Sequence, residues 1–359
     1  MQSLNPANRI ALRFLFAYFL LFFLTDIALP GEDTRFRWML ALASAGLAAI
    51  VAVPWSVLDR GRISDERLRS WLRLLLRVAL ALPMIASGIA RLIPVQIPFP
   101  GPLEYLHRLG ELAPMELVWI FVGSSPVFQS FTGLAGLTGG VLLLTPRTTL
   151  LGAVTCASNL VMAVTLSLCY NLPFKLYLLH LLVIALLLIA PDLRRLANLF
   201  LLDRVVEPAE MPPASMGERV LLLLSLGVIA WSLVDAAGRY GSVHPPKPPL
   251  YGAWNVEELT VDGEESFGPD QWRWVVFQDP GALDAQRGNG SRKRYALDLD
   301  SARKTMTLDR RSVLSFQEPE EGVLILEGRL DGHNTRAKLR RMKLSNPWFH
   351  WILEPELYG

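Results

Sequence analysis

The sequence predicts an all-α polytopic membrane helix bundle of about seven transmembrane helices, followed by a small antiparallel all-β domain. Three observations lead there. Of 359 residues 52% are hydrophobic and only 19% charged, and the mean hydropathy is +0.32, which fits a bilayer better than water. Long apolar runs fill the first two thirds of the chain, and short alternating runs between turn residues fill the last third. Charge divides the same way: residues 1–236 hold 33 of the 68 charged side chains, and 237–359 hold 35 in about half the length.

Each membrane span needs about 20 mostly apolar residues, because hydrocarbon satisfies no exposed backbone group. Seven runs qualify: Ile10–Leu29, Trp38–Leu58, Leu74–Pro94, Phe128–Pro146, Thr149–Tyr170, Leu172–Pro191 and Val220–Ala237. The uncharged stretch from Leu117 to Pro146 is too long for one span and is broken at Gly123-Ser-Ser-Pro126, so its first part reads as a shallow or re-entrant helix. No small-x-small site follows the first run cleanly, and it is kept as an uncleaved anchor.

Positive residues are retained on the cytoplasmic side. With the N-terminus inside, cytoplasmic segments carry 13 Lys and Arg (from Arg9 and Arg13 through Arg60–Arg77 to Arg219), against Arg35, Arg37, Arg108 and Lys175 outside. Seven crossings then place the C-terminal domain outside. The Arg60–Arg77 segment reads as a solvated amphipathic helix that touches anionic lipid.

From Leu250 onward, period-two alternation marks strands at Val256–Val261, Trp272–Phe277, Arg294–Leu299, Lys304–Leu308, Leu314–Phe316, Val323–Leu326 and Thr335–Leu339. Asp262-Gly263, Gly288-Asn-Gly290, Glu321-Gly322 and Asp331-Gly332 supply hairpin turns. A meander, barrel or sandwich of seven or eight strands follows. The closing Trp348-Phe-His-Trp351 reads as a barrel plug or a foot on the membrane interface. The domain plan is therefore 1–71 for two spans and a basic loop, 72–200 for a helical core, 201–240 for a loop and last span, 241–249 for a Pro-rich linker, and 250–359 for the β-domain.

Several function classes are excluded. The net charge of +2 suits no nucleic-acid binder. Cys156 and Cys169 sit on one predicted helix about 20 Å apart, too far to bridge. There is no CxxC, P-loop, HExxH or G-x-S-x-G motif, and the five histidines lack metal-ligand or bis-histidine haem spacing, so no metal, nucleotide or haem is assigned.

A run of short blocks carries a family resemblance: Trp55-Ser-Val-Leu-Asp-Arg60, Ser87-Gly-Ile-Ala-Arg-Leu-Ile-Pro-Val-Gln96, Pro114-Met115 before Trp119, Phe131-Thr-Gly-Leu-Ala-Gly-Leu-Thr-Gly-Gly140, Cys169-Tyr-Asn-Leu-Pro-Phe-Lys-Leu176 and Pro191-Asp-Leu-Arg-Arg-Leu196. In that order they resemble DoxX-like integral membrane proteins of the longer type with a C-terminal extramembrane domain, over roughly residues 55–205. The resemblance implies a four-helix core in 72–200 and a link to membrane oxidoreductase complexes, with quinone as the implied carrier. It also implies Glu where Gly136 stands and Asp where Asn171 stands, and this chain lacks both carboxylates.

Strongly polar side chains within a span cost free energy on insertion, so each is a candidate. Arg91, Gln96, Gln129, Tyr170, Asn171 and Lys175 fall at one end of the predicted bundle. They form either an outward-opening pocket for an anion or a quinone carbonyl, or a set of side chains reaching head groups. His180 lies five residues deeper than Lys175, about 140° around the helix, and either relays a proton or bonds Asn159 or Ser158 of a neighbouring helix. Asp26 and Asp235 either pair with Arg91 or reach water, and water is the expectation for both. The small residues Gly133, Ala135, Gly136, Gly139 and Gly140 are expected to let helices approach closely. Two functions follow: a quinone-linked membrane redox component, or a non-enzymatic scaffold presenting the β-domain to an envelope partner or lipophilic ligand.

Overall fold

The computed structural model describes residues 5–28, 35–58, 65–205, 216–266 and 268–344. The chain forms two compact units, Met1–Ile97 with Pro126–Tyr240, and Pro98–Ser125 with Gly241–Gly359. The Trp348–Trp351 aromatic run and Arg60 and Arg62 lie outside the described residues.

The first unit holds α1 (Pro6–Ala28), α2 (Arg35–Leu58) and α3 (Asp65–Leu92). The short α4 (Pro102–Tyr105) and α5 (Pro114–Gly123) belong to the second unit. α6 (Pro126–Leu142), α7 (Thr149–Cys169), α8 (Lys175–Ile189), α9 (Leu193–Phe200) and α10 (Met216–Val243) return to the first. Proline opens α4, α5 and α6, where its missing N–H is no loss. Six helical segments are long and apolar enough to cross a membrane, or seven if α5 and α6 count as one. The chain thus has the helical content of a multi-pass membrane protein.

Helices α3, α6, α7 and α8 close into a four-helix ring, with α1 packed on α3 and α2 packed on α1. Its core contains Leu80, Ala81, Leu143, Ala153, Cys156, Ile184 and Ala185. The small residues work as expected at the tightest crossings. A Cβ on Gly133 would lie 2.8 Å from Gly88 O and from Arg91 Cβ, and one on Gly139 would lie 2.7 Å from Cys156 Sγ. The basic segment expected as a separate amphipathic helix is corrected in part: α3 starts at Asp65, so Arg67–Arg77 are its own first turns. Period-3.6 amphipathicity and span hydropathy overlap there, and no Gly or Pro separates them.

The second unit is a closed barrel. Strands β1 (Gly252–Val261), β3 (Trp272–Phe277), β4 (Ala282–Arg287), β5 (Arg292–Asp300), β6 (Thr305–Leu308), β7 (Ser312–Glu320), β8 (Val323–Leu330) and β9 (His333–Arg341) form an antiparallel meander. Pairing of β1 with β9, Val256 opposite Leu339, closes it. β2 (Glu264–Glu265) is a two-residue return on β1 across the Asp262-Gly263 turn. The interior is filled by side chains including Trp254, Phe277, Leu283, Tyr295, Met306 and Leu324, as a small eight-stranded barrel allows. Gly328 lies at a φ of 155°, and a Cβ there would meet Val313 O at 2.2 Å. α4 packs on the outside of this barrel, where Leu103 N–H donates to Gln278 Oε1 at 2.9 Å, and Arg292 pairs with Glu111 at 2.8 Å.

Candidate functional site

Tyr18, Phe22 and Asp26 recur every four residues on α1 and so share one face. That face meets α8 and α2. His180 of α8 is half-buried and bonded at both ring nitrogens, Nδ1 to Leu176 O at 2.6 Å and Nε2 to the Tyr18 hydroxyl at 2.5 Å. A carbonyl only accepts, so Nδ1 carries a proton, and the Tyr18 hydroxyl, which can donate or accept, completes the bond at Nε2. Phe22 stacks on the imidazole at 3.8 Å between centroids with planes 5° apart. One turn further along α1, Asp26 forms an ion pair with Arg37 of α2. Phe22, Thr25, Asp26, Arg37, Leu40, Ala41 and Leu176 line a narrow cleft there.

This arrangement corrects two expectations. His180 bonds Tyr18 rather than Asn159 or Ser158, whose side chains go to Thr132 O and Val154 O. Asp26 is paired with Arg37, and Asp235 with Arg239 at 2.5 Å, instead of simply meeting water. In both cases a cation within reach, across the α1–α2 connection or four residues along α10, competes with solvent.

The sequence-derived candidates fall into separate groups. Arg91 Nε donates to Gln96 Oε1 at 3.0 Å at the end of α3. Gln129, buried in the first turn of α6, donates from Nε2 to Ile97 O at 3.0 Å, while its Oε1 has no protein partner. Asn171 and Lys175 bond each other at 2.5 Å in the turn between α7 and α8, beside the exposed Tyr170. Among the described residues no hydrogen bond or ion pair joins Lys175 to Arg91, Gln96 or Gln129. His180 belongs with α1.

Tyr18, Phe22 and Arg37 were not singled out in the sequence. The signal was present as the i, i+4, i+8 spacing on α1 opposite the Leu176 and His180 pair on α8. Two arginines inside helical runs also gain partners: Arg13 donates to Trp55 O at 2.8 Å, and Arg77 donates to Leu143 O and Leu144 O, both at 2.9 Å, and faces Glu218 at 3.5 Å.

In the second unit, Glu104 of α4 and Asp279 lie within electrostatic reach of Asp284, and Arg294 pairs with Asp279 and sits 4.0 Å from Asp284. Burial lifts the Asp284 carboxyl above the usual aspartate range; Arg294 opposes this, and Asp279 and Glu104 add to it. Among the described residues no group of three or more His, Cys, Asp or Glu is arranged to hold a metal ion. No family model matches the chain, and no curated protein matches it.

Proposed function

We propose that this chain is a DoxX-like multi-pass protein of the inner membrane that serves a quinone-linked redox system, with the Tyr18–His180 pair as the point that meets the lipophilic carrier. The observation that carries this reading is the hydrogen-bond chain Tyr18 O–H, His180 Nε2, His180 Nδ1–H and Leu176 O. A phenol and an imidazole, both half-buried on an apolar wall, share one hydrogen bond, which a quinone carbonyl would replace by accepting the Tyr18 O–H and leaving Nε2 to take up a proton. The cleft beside Asp26 and Arg37 is too narrow to enclose a ring. The carrier therefore approaches the pair from the lipid side, and electrons come from a partner protein.

The test is full-length protein in nanodiscs containing quinone. Wild-type protein is expected to retain quinone through washing. Tyr18→Phe removes the bond to His180, His180→Ala removes that bond and the one to Leu176 O, and each is expected to lower retention by roughly tenfold. Equal retention by all three proteins overturns the reading.

A second reading is favoured by the barrel itself. Its interior is occupied by side chains, and its outer face carries the pairs Glu257–Arg340, Glu258–Lys338 and Glu327–Arg336. Such a face suits a non-enzymatic scaffold that presents the barrel to an envelope protein. A photo-crosslinker at position 338 that captures a partner, with quinone retention absent, would favour it. Both readings place the N-terminus in the cytoplasm and the barrel outside, by the excess of arginine on one side.

A further inference from the structure

α8 is 15 residues long, about 22 Å, and with the turn at Ala190–Asp192 and α9 it makes the 26-residue candidate span Lys175–Phe200, longer than the about 20 residues that a crossing needs. After the turn at Ala190–Asp192 the apolar pattern continues on one face of α9. Leu196 packs into the bundle core, while Leu193 and Phe200 are exposed, as are Leu201 and Leu202 just beyond the helix. At 100° per residue, Leu193, Leu196, Ala197, Leu199 and Phe200 fall within one arc, and Arg194, Arg195 and Asn198 fall within the opposite one. Phe200 is 75% exposed and Leu201 82%, a costly arrangement in water and an ordinary one against acyl chains.

Among the described residues, arginines outnumber acids at this end of the bundle. The described acids Asp65, Asp192 and Glu218 are each paired with an arginine, leaving Glu66 and Asp203. Arg69, Arg73, Arg194, Arg204 and Arg219 have no acidic partner among the described residues. We propose that α9 lies in the lipid interface, with Phe200 and Leu201 among the acyl chains and Arg194 and Arg204 binding the head groups of anionic phospholipids.

The experiment uses the full chain with Cys169→Ser, since Cys156 is buried. A nitroxide on Phe200→Cys is expected to be reached by oxygen and shielded from an aqueous nickel chelate, and one on Arg194→Cys to show the reverse. By native mass spectrometry, Arg194→Gln/Arg204→Gln is expected to lower retention of phosphatidylglycerol by about tenfold and leave phosphatidylcholine unchanged. Arg194→Lys/Arg204→Lys should keep most of the retention. Equal nickel access at both labels, or phosphatidylglycerol retention unaltered by the glutamine pair, overturns the proposal.

Discussion

Arg13 and Arg77 illustrate how a charged side chain survives within a helix bundle. The last four carbonyls of a helix have no intrahelical partner and carry a partial negative charge. Trp55 O lies in the last turn of α2, and Leu143 O and Leu144 O follow the end of α6. Each arginine reaches across from a neighbouring helix and satisfies these groups. Arg77→Met would leave two carbonyls and Glu218 unpaired at once. The expected cost is about 3 kcal/mol in mixed-micelle unfolding, with Glu218→Gln costing less. In the barrel, Asp284 gives a pH signature. Its folded pKa is raised, so the ionised form costs stability above that value. The cost is relieved as the pH falls through the raised pKa toward the ordinary aspartate value. Asp284→Asn is therefore expected to raise the Tm at neutral pH and to flatten the stability profile over that window. An unchanged profile would contradict the assignment.

Between elements, backbone contact decides which glycines tolerate a methyl group. At Gly133 the obstacle is the backbone of α3, which cannot yield without moving the helix. At Gly136 the nearest atom to a Cβ is the flexible Met84 Cε at 3.4 Å, with Met84 O and Asn159 Nδ2 at ordinary contact distances of 3.7 and 3.9 Å. Gly133→Ala is expected to lose about 1–3 kcal/mol by overpacking, and Gly136→Ala to be neutral or stabilising through helix propensity. The two unfolding curves, measured side by side, check this. The same site shows what the sequence discloses and what it hides. Hydropathy and period-two alternation marked the long helices and all but one of the major strands. β4 was missed because Ala282-Leu-Asp-Ala-Gln-Arg287 offers neither β-branched nor aromatic residues nor alternation, being buried on both faces in places. The bond from Leu103 to Gln278 joins residues 175 apart, and the packing of α4 against β1 is likewise long-range, a separation on which local pattern is silent. Likewise the Tyr18–His180 bond spans 162 residues; spacing on each helix hinted at a face, and only the fold pairs the faces.

For the whole molecule the parity of crossings matters most. α6 has 17 residues, about 25 Å, and falls short as a span by length alone. Its contacts argue that it reaches as deep as α3. Ser130 bonds Leu92 O at one end, a Cβ on Gly140 would meet Ile85 midway, and Leu143 O and Leu144 O bond Arg77 at the other. The two helices therefore run antiparallel along most of their shared length. The described residues hold six segments able to cross a membrane, or seven if α5 and α6 make one span, and an odd tally would set the chain before α1 and the chain after α10 on opposite sides. The prediction is that a fluorescent reporter fused after residue 205 folds in the cytoplasm, whereas one after residue 344 is dark and a phosphatase at the same position is active. A cytoplasmic reporter at 344 would require an even number. It would take the barrel away from any envelope partner and reverse the side on which Asn171 and Lys175 face water.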